Sequence, residues 1–94
     1  MRKYELVCII HPDLDETAFK EMVEKVSGWI GEAGGDIEKT DVWGRRRMAY
    51  QIDKQREGQY VLFETNMPAA GTAKLELSMR FEESILRSMI TLVA

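Results

Sequence analysis

Three consecutive arginines sit in the stretch Trp43-Gly44-Arg45-Arg46-Arg47-Met48-Ala49-Tyr50. A guanidinium offers a planar fork of donors that matches a phosphate, and its flat surface stacks on bases. Side chains in a strand alternate between faces, so three in a row project to both. With Arg2, Lys3, Lys54 and Arg56 these arginines can assemble an anion-binding rim. The same residues also suit a quieter role, because charge on an edge strand discourages pairing with foreign strands.

Other reactive residue types are sparse. Cys8 lies between apolar neighbours, as a small buried hydrophobe does. His11 is the only histidine, which excludes a multi-histidine metal site within one chain. The carboxylate pairs Asp13/Asp15 and Glu82/Glu83 fall at helix boundaries, where capping and solvation are their ordinary uses. Gly34-Gly35 follows a helix, whereas a phosphate cradle precedes one. The stretch Gly58-Gln59-Tyr60-Val61-Leu62-Phe63 shares a glycine and aromatics with the RNP1 strand of RRM domains. Stacking aromatics in that strand share a face two residues apart. Tyr60 and Phe63 are three apart and point to opposite faces, which reads as an ordinary core strand.

These residues must be held by elements that the apolar pattern outlines. Residues 3–10 alternate as a short central strand ended by Pro12. Phe19, Met22, Val23, Val26, Ile30 and Ala33 form one stripe at helical period, with Asp13 or Asp15 as cap and Gly34-Gly35 as the stop. Residues 36–52 read as a long extended segment, bent or bulged at Gly44. A polar connection over 53–58 then leads to a strand over 59–65, so the two strands form a hairpin. Pro68 opens a helix over 69–81, and residues 85–93 form a last strand. The order β-α-β-β-α-β implies an α+β, ferredoxin-like four-stranded antiparallel sheet with both helices on one face. The other face, left without a helical cover, is then either polar or the place where a partner docks. Leu6, Cys8, Val26, Ile30, Leu62, Leu75, Met79 and Ile90 are the expected core.

Length and charge bound the function. The 94 residues correspond to a single domain, 1–94, since domains typically run to roughly 100–150 residues. A lone cysteine excludes an internal disulfide and fits a reducing compartment. No apolar run approaches the ~20 residues a membrane helix needs, and the start of the chain does not resemble a signal peptide. Net charge is −3, which on its face argues against nucleic acid. However, residues 36–56 carry 6 basic and 4 acidic groups, an excess of +2 in the middle of the chain. A local basic patch attracts an anionic partner despite a negative total, because distant charges are screened.

The whole chain closely resembles bacterial small-subunit ribosomal protein six. The resemblance rests on Met1-Arg2-Lys3-Tyr4-Glu5, His11-Pro12-Asp13, Trp43-Gly44-Arg45-Arg46 with Met48-Ala49-Tyr50, and Gly58-Gln59-Tyr60-Val61-Leu62. Arg80-Phe81 and Ile85-Leu86-Arg87 match near the end. Gln51 stands where the family usually has proline, and Arg47 occupies a variable place. The resemblance implies a non-catalytic protein of the small-subunit platform in the cytoplasm. It further implies binding to the central domain of 16S ribosomal RNA together with ribosomal protein eighteen, without a cofactor, metal or small-molecule substrate. On this reading Arg2, Lys3, Tyr4, Arg45, Arg46, Arg47, Lys54, Arg80 and Arg87 contact RNA or the partner protein.

Two other uses of the topology are a small-molecule-binding regulatory module and an acylphosphatase-like enzyme. The enzyme needs an arginine in a phosphate-cradling loop beside an asparagine. Here Arg2 precedes a strand, and the only asparagine is Asn66.

Overall fold

The computed structural model describes residues 1–93. The chain runs β1 (Arg2–Ile10), α1 (Glu16–Glu32), β2 (Asp36–Ile52), β3 (Gln55–Met67), α2 (Gly71–Arg80) and β4 (Ile85–Leu92). One four-stranded sheet has the order β2-β3-β1-β4, with antiparallel neighbours throughout. This is the expected ferredoxin-like arrangement: each crossover helix passes over the strand inserted between the two it joins.

Alternation in the two central strands decides where the core sits. Tyr4, Leu6, Cys8 and Ile10 of β1 are buried on the helix side, beside Val61, Phe63, Thr65 and Met67 of β3. Met22, Val26 and Ile30 of α1 and Leu75 and Met79 of α2 close over them. Thr65 is the one polar side chain in this layer, and its hydroxyl donates to the Tyr4 carbonyl at 3.4 Å. That bond removes the cost of burying an unpaired polar group. Leu62, expected in the core, lies on the opposite face because it pairs with Val7 rather than alternating with the buried set. Ile90 is half-buried and packs at the edge of the core.

The helix ends follow their sequence signals. Asp15 is the cap, and its carboxylate accepts from the Ala18 N–H at 2.8 Å. At the other end Gly34 takes φ +86°, Gly34 N–H donates to Gly31 and Gly35 N–H to Ile30. These are the two reverse bonds of a Schellman stop.

The hairpin departs from expectation. Residues 55–58 belong to β3, and the connection is only Asp53-Lys54, with φ 50° and 65°. Two left-handed residues give the primed turn that matches strand twist. Polarity over 53–58 reads as a loop because this part of the hairpin projects past the core and meets solvent. Three register shifts interrupt β2, between Ile37/Lys39, Val42/Gly44 and Arg47/Ile52. The middle one is the expected bulge, with Gly44 at φ +85°. The third sets four residues, 48–51, against Arg56 alone.

Candidate nucleic-acid and partner interface

Residues directly opposite in the ladder share a face, so the register describes the uncovered side row by row. Leu62, Val7 and Met89 make an apolar row across three strands. Tyr60, Ile9 and Arg87 form the next row, toward the hairpin. Ile9 is buried although no helix covers it, because Gly58 lets it press against the β3 backbone. On the other side of the apolar row, Glu64 lies between Glu5 and Lys39, with Thr91 beyond Glu5. Neither glutamate has an ion pair among the described residues. The face thus runs from a basic end, through a row that is apolar across β3, β1 and β4 with Asp41 at its β2 edge, to a row of mixed charge with two glutamates and one lysine.

The projecting hairpin carries the basic end, and its register sorts the three arginines. Arg45 lies opposite Gln59, Arg46 opposite Gly58 and Arg47 opposite Glu57. Arg46 lies over the Trp43 ring at 5.6 Å, and Trp43 stacks with Tyr60 at 6.2 Å between centroids. Cation, indole and phenol form a layered shelf beside the uncovered face. Arg45 points to the helix side, donates to the Pro12 carbonyl at 2.7 Å and pairs with Glu57 at 3.5 Å. Arg47 and Arg56 have no ion-pair partner among the described residues and line one cleft with Pro12, Asp13 and Gln55. Lys54 occupies the turn. Arg87 reaches the hairpin by donating to the Tyr50 hydroxyl. Arg80, at the end of α2, shares one cleft with Arg87 and another with His11 and Asp53.

Three expected site residues stand apart from this group. Arg2 and Lys3 begin β1, at the opposite end of the sheet. Lys3 pairs with Glu38 at 3.3 Å, and the Asn66 amide donates to the same carboxylate. The Asn66 hydrogen bond, and then Lys3, hold the Glu38 carboxyl below its ordinary pKa. Tyr4 is a correction. Only 7% exposed and packed in the core, its ring offers no surface to RNA or a partner. Conversely, Val7, Leu62 and Met89 were absent from the site expected from sequence, although their two-residue alternation opposite the buried set marks them as one face.

Cys8 and His11 offer no catalytic centre. Burial pushes the Cys8 thiol up to about 12, and its sulfur contacts the Met79 sulfur at 3.8 Å. His11 Nδ1 accepts from the Asp13 N–H at 3.1 Å. The Asp13 carboxylate lies 3.7 Å from the same nitrogen. No helix of the described residues is long and apolar enough to cross a membrane.

The split βαβ sheet with an uncovered face, an apolar row across it and an arginine-bearing arm at one end belongs to the α+β, ferredoxin-like class of small domains. Residues 3–91 match the family model described as Ribosomal protein S6, and the chain belongs to that family. It is 43% identical over 90 residues to small ribosomal subunit protein bS6 of Saccharopolyspora erythraea, covering 96% of this chain and 76% of that one. Identity to the bS6 of Exiguobacterium sibiricum is 44% over 91 residues, covering 97% and 96%. The crystal structure of 30S ribosomal protein S6 from Thermotoga maritima superposes with a TM-score of 0.93 at 31% identity, covering 98% of this chain and 87% of that one. Membership makes the protein a structural component of the small ribosomal subunit, and the family is not one of enzymes.

Proposed function

We propose that this protein binds the central domain of 16S ribosomal RNA jointly with ribosomal protein eighteen, on the platform of the small subunit in the cytoplasm. The observation that carries the reading is the juxtaposition of a basic hairpin arm with an uncovered apolar face. Arg46, Arg47, Lys54 and Arg56 on the arm, with Arg80 and Arg87 beside it, make the RNA edge, chiefly through phosphates. Arg2 and Lys3 supply a second, smaller contact at the far end of β1. The row Leu62–Val7–Met89 takes the protein partner, and the Glu5–Glu64 row beside it favours a basic one. This division resolves the charge problem. A chain of net charge −3 supplies a shaped surface and a few arginines, while the partner brings further positive charge.

The test is a gel-shift titration in salt on a central-domain fragment, with and without protein eighteen. Tight binding with both proteins that weakens as salt rises supports joint recognition through phosphates. Absence of binding under both conditions, with the chain folded, overturns it.

A further inference from the structure

We infer that Arg45 is a positioning residue that sets the angle of the arm, and that the phosphate grip belongs to Arg47 and Arg56. The inference rests on the RNA-binding reading above, but its geometry stands by itself. Arg45 and Gln59 are cross-strand neighbours at the base of the arm. Both reach the same loop, residues 11–14 between β1 and α1. The Arg45 guanidinium donates to the Pro12 carbonyl at 2.7 Å. The Gln59 amide donates to the carbonyls of His11 at 3.1 Å and Leu14 at 3.2 Å. Two side chains of the arm thus take three carbonyls of one loop. The other side of the Arg45 fork is occupied by Glu57 at 3.5 Å. Both terminal nitrogens of the guanidinium are thus engaged, although the side chain stays 57% exposed. It does have leverage, because it ties the base of a projecting arm to the body of the protein.

Arg47 sits two residues further out along β2, opposite Glu57, and is exposed. Arg56 is exposed as well, and the two share a cleft of about 370 Å³ with the loop that Arg45 anchors, Arg45 and Glu57 lying in its lining too. The loop therefore forms one wall of that cleft, and the tether fixes the spacing between wall and arm. Releasing Arg45 leaves both gripping charges present but no longer held at one spacing.

The two roles separate in a salt titration. Removing a single phosphate interaction lowers the slope of log affinity against log salt by about 0.9 for a duplex and about 0.7 for a single strand. The experiment uses the full chain with protein eighteen and the central-domain fragment. Arg47→Ala is expected to weaken binding and flatten the slope by about that step. Arg45→Ala is expected to weaken binding roughly three- to tenfold at every salt concentration, the scale of one missing hydrogen bond that is partly open to solvent, with the slope unchanged. Arg45→Lys recovers much of the affinity, since an ammonium can still donate to a carbonyl. Binding is read far below the melting temperature, so a merely structural effect on stability leaves the affinity of the folded chain unmoved. Amide hydrogen exchange on the free chain gives an independent readout: the amides of His11, Asp13 and Leu14 lose protection in Arg45→Ala and keep it in Arg47→Ala. The inference is overturned if Arg45→Ala flattens the slope as Arg47→Ala does, or if exchange in the loop is unchanged. Failure of the wild-type chain to bind the fragment refutes the RNA reading instead, and the exchange result then decides the tether alone.

Discussion

Gly58 lies in β3 where the sheet passes into its arm, and replacing it with alanine tests the packing directly. A Cβ at this position would lie 2.3 Å from Ile9 Cγ2. Ile9 is 8% exposed, and Cγ2 is fixed by the branch at Cβ, so it cannot swing aside. In the absence of a clash, Gly→Ala stabilises a chain by about 0.4–1 kcal/mol through the unfolded state. Overpacking of this kind costs about 1–3 kcal/mol, so the contact reverses the sign. For a chain of this length each 1 kcal/mol lowers the melting temperature by about 4–8 °C. Gly58→Ala is therefore expected to melt about 4–24 °C below the wild type. Ile9→Ala removes Cγ2 and is itself destabilising, by about 2–5 kcal/mol for a buried site. In the double variant the Gly58→Ala penalty should largely vanish, which appears as non-additivity. Urea denaturation of the four chains measures it. A Gly58→Ala chain as stable as the wild type, or strictly additive variants, would refute the reasoning.

Three other perturbations follow from single contacts. Lys54→Gly relieves a left-handed lysine in the turn and should raise stability by about 1 kcal/mol, read by thermal melting; a drop in stability would contradict the turn geometry. Glu38 carries a lowered pKa, so it stabilises the fold above the ordinary glutamate range, and that contribution is lost as pH falls through the lowered value. Carboxyl NMR titration should find Glu38 below its free value and rising toward it in Lys3→Met; an unchanged titration there would remove Lys3 as a cause. The Cys8 thiol, pushed up to about 12, should resist a thiol reagent at neutral pH in the folded chain and react at once in denaturant. Rapid labelling of the folded chain would show that it is not buried.

The fold was legible because its signals are local. Alternation in β1, the stripe from Phe19 to Ala33, the Asp15 cap and the Gly34 stop each follow from neighbours within one turn or one pleat. Gly44 announced its bulge because few other residues accept its backbone angle. The tip of the hairpin was not legible, since Asp53-Lys54 lacks the glycine that usually marks a primed turn and residues 55–58 are polar on both faces. The three arginines could be placed in a strand but not assigned roles. The bulge at Gly44 shifts their alternation, and the tether from Arg45 spans 33 residues to Pro12. Tyr4 misled because the family resemblance supplied it as a contact residue, whereas its own alternation with Leu6 and Cys8 puts the ring in the core. Which face of β3 was core turned on one step of register, and that step moved Leu62 from the interior to the partner face.

The most direct measurement follows backbone amide shifts of the labelled chain as unlabelled protein eighteen, and then the central-domain RNA fragment, are added. The account predicts that protein eighteen moves Val7, Leu62 and Met89, and that the RNA then moves residues 46–56 and Arg87. Shifts confined to the outer surfaces of α1 and α2, with the uncovered face and the arm unmoved, would contradict it.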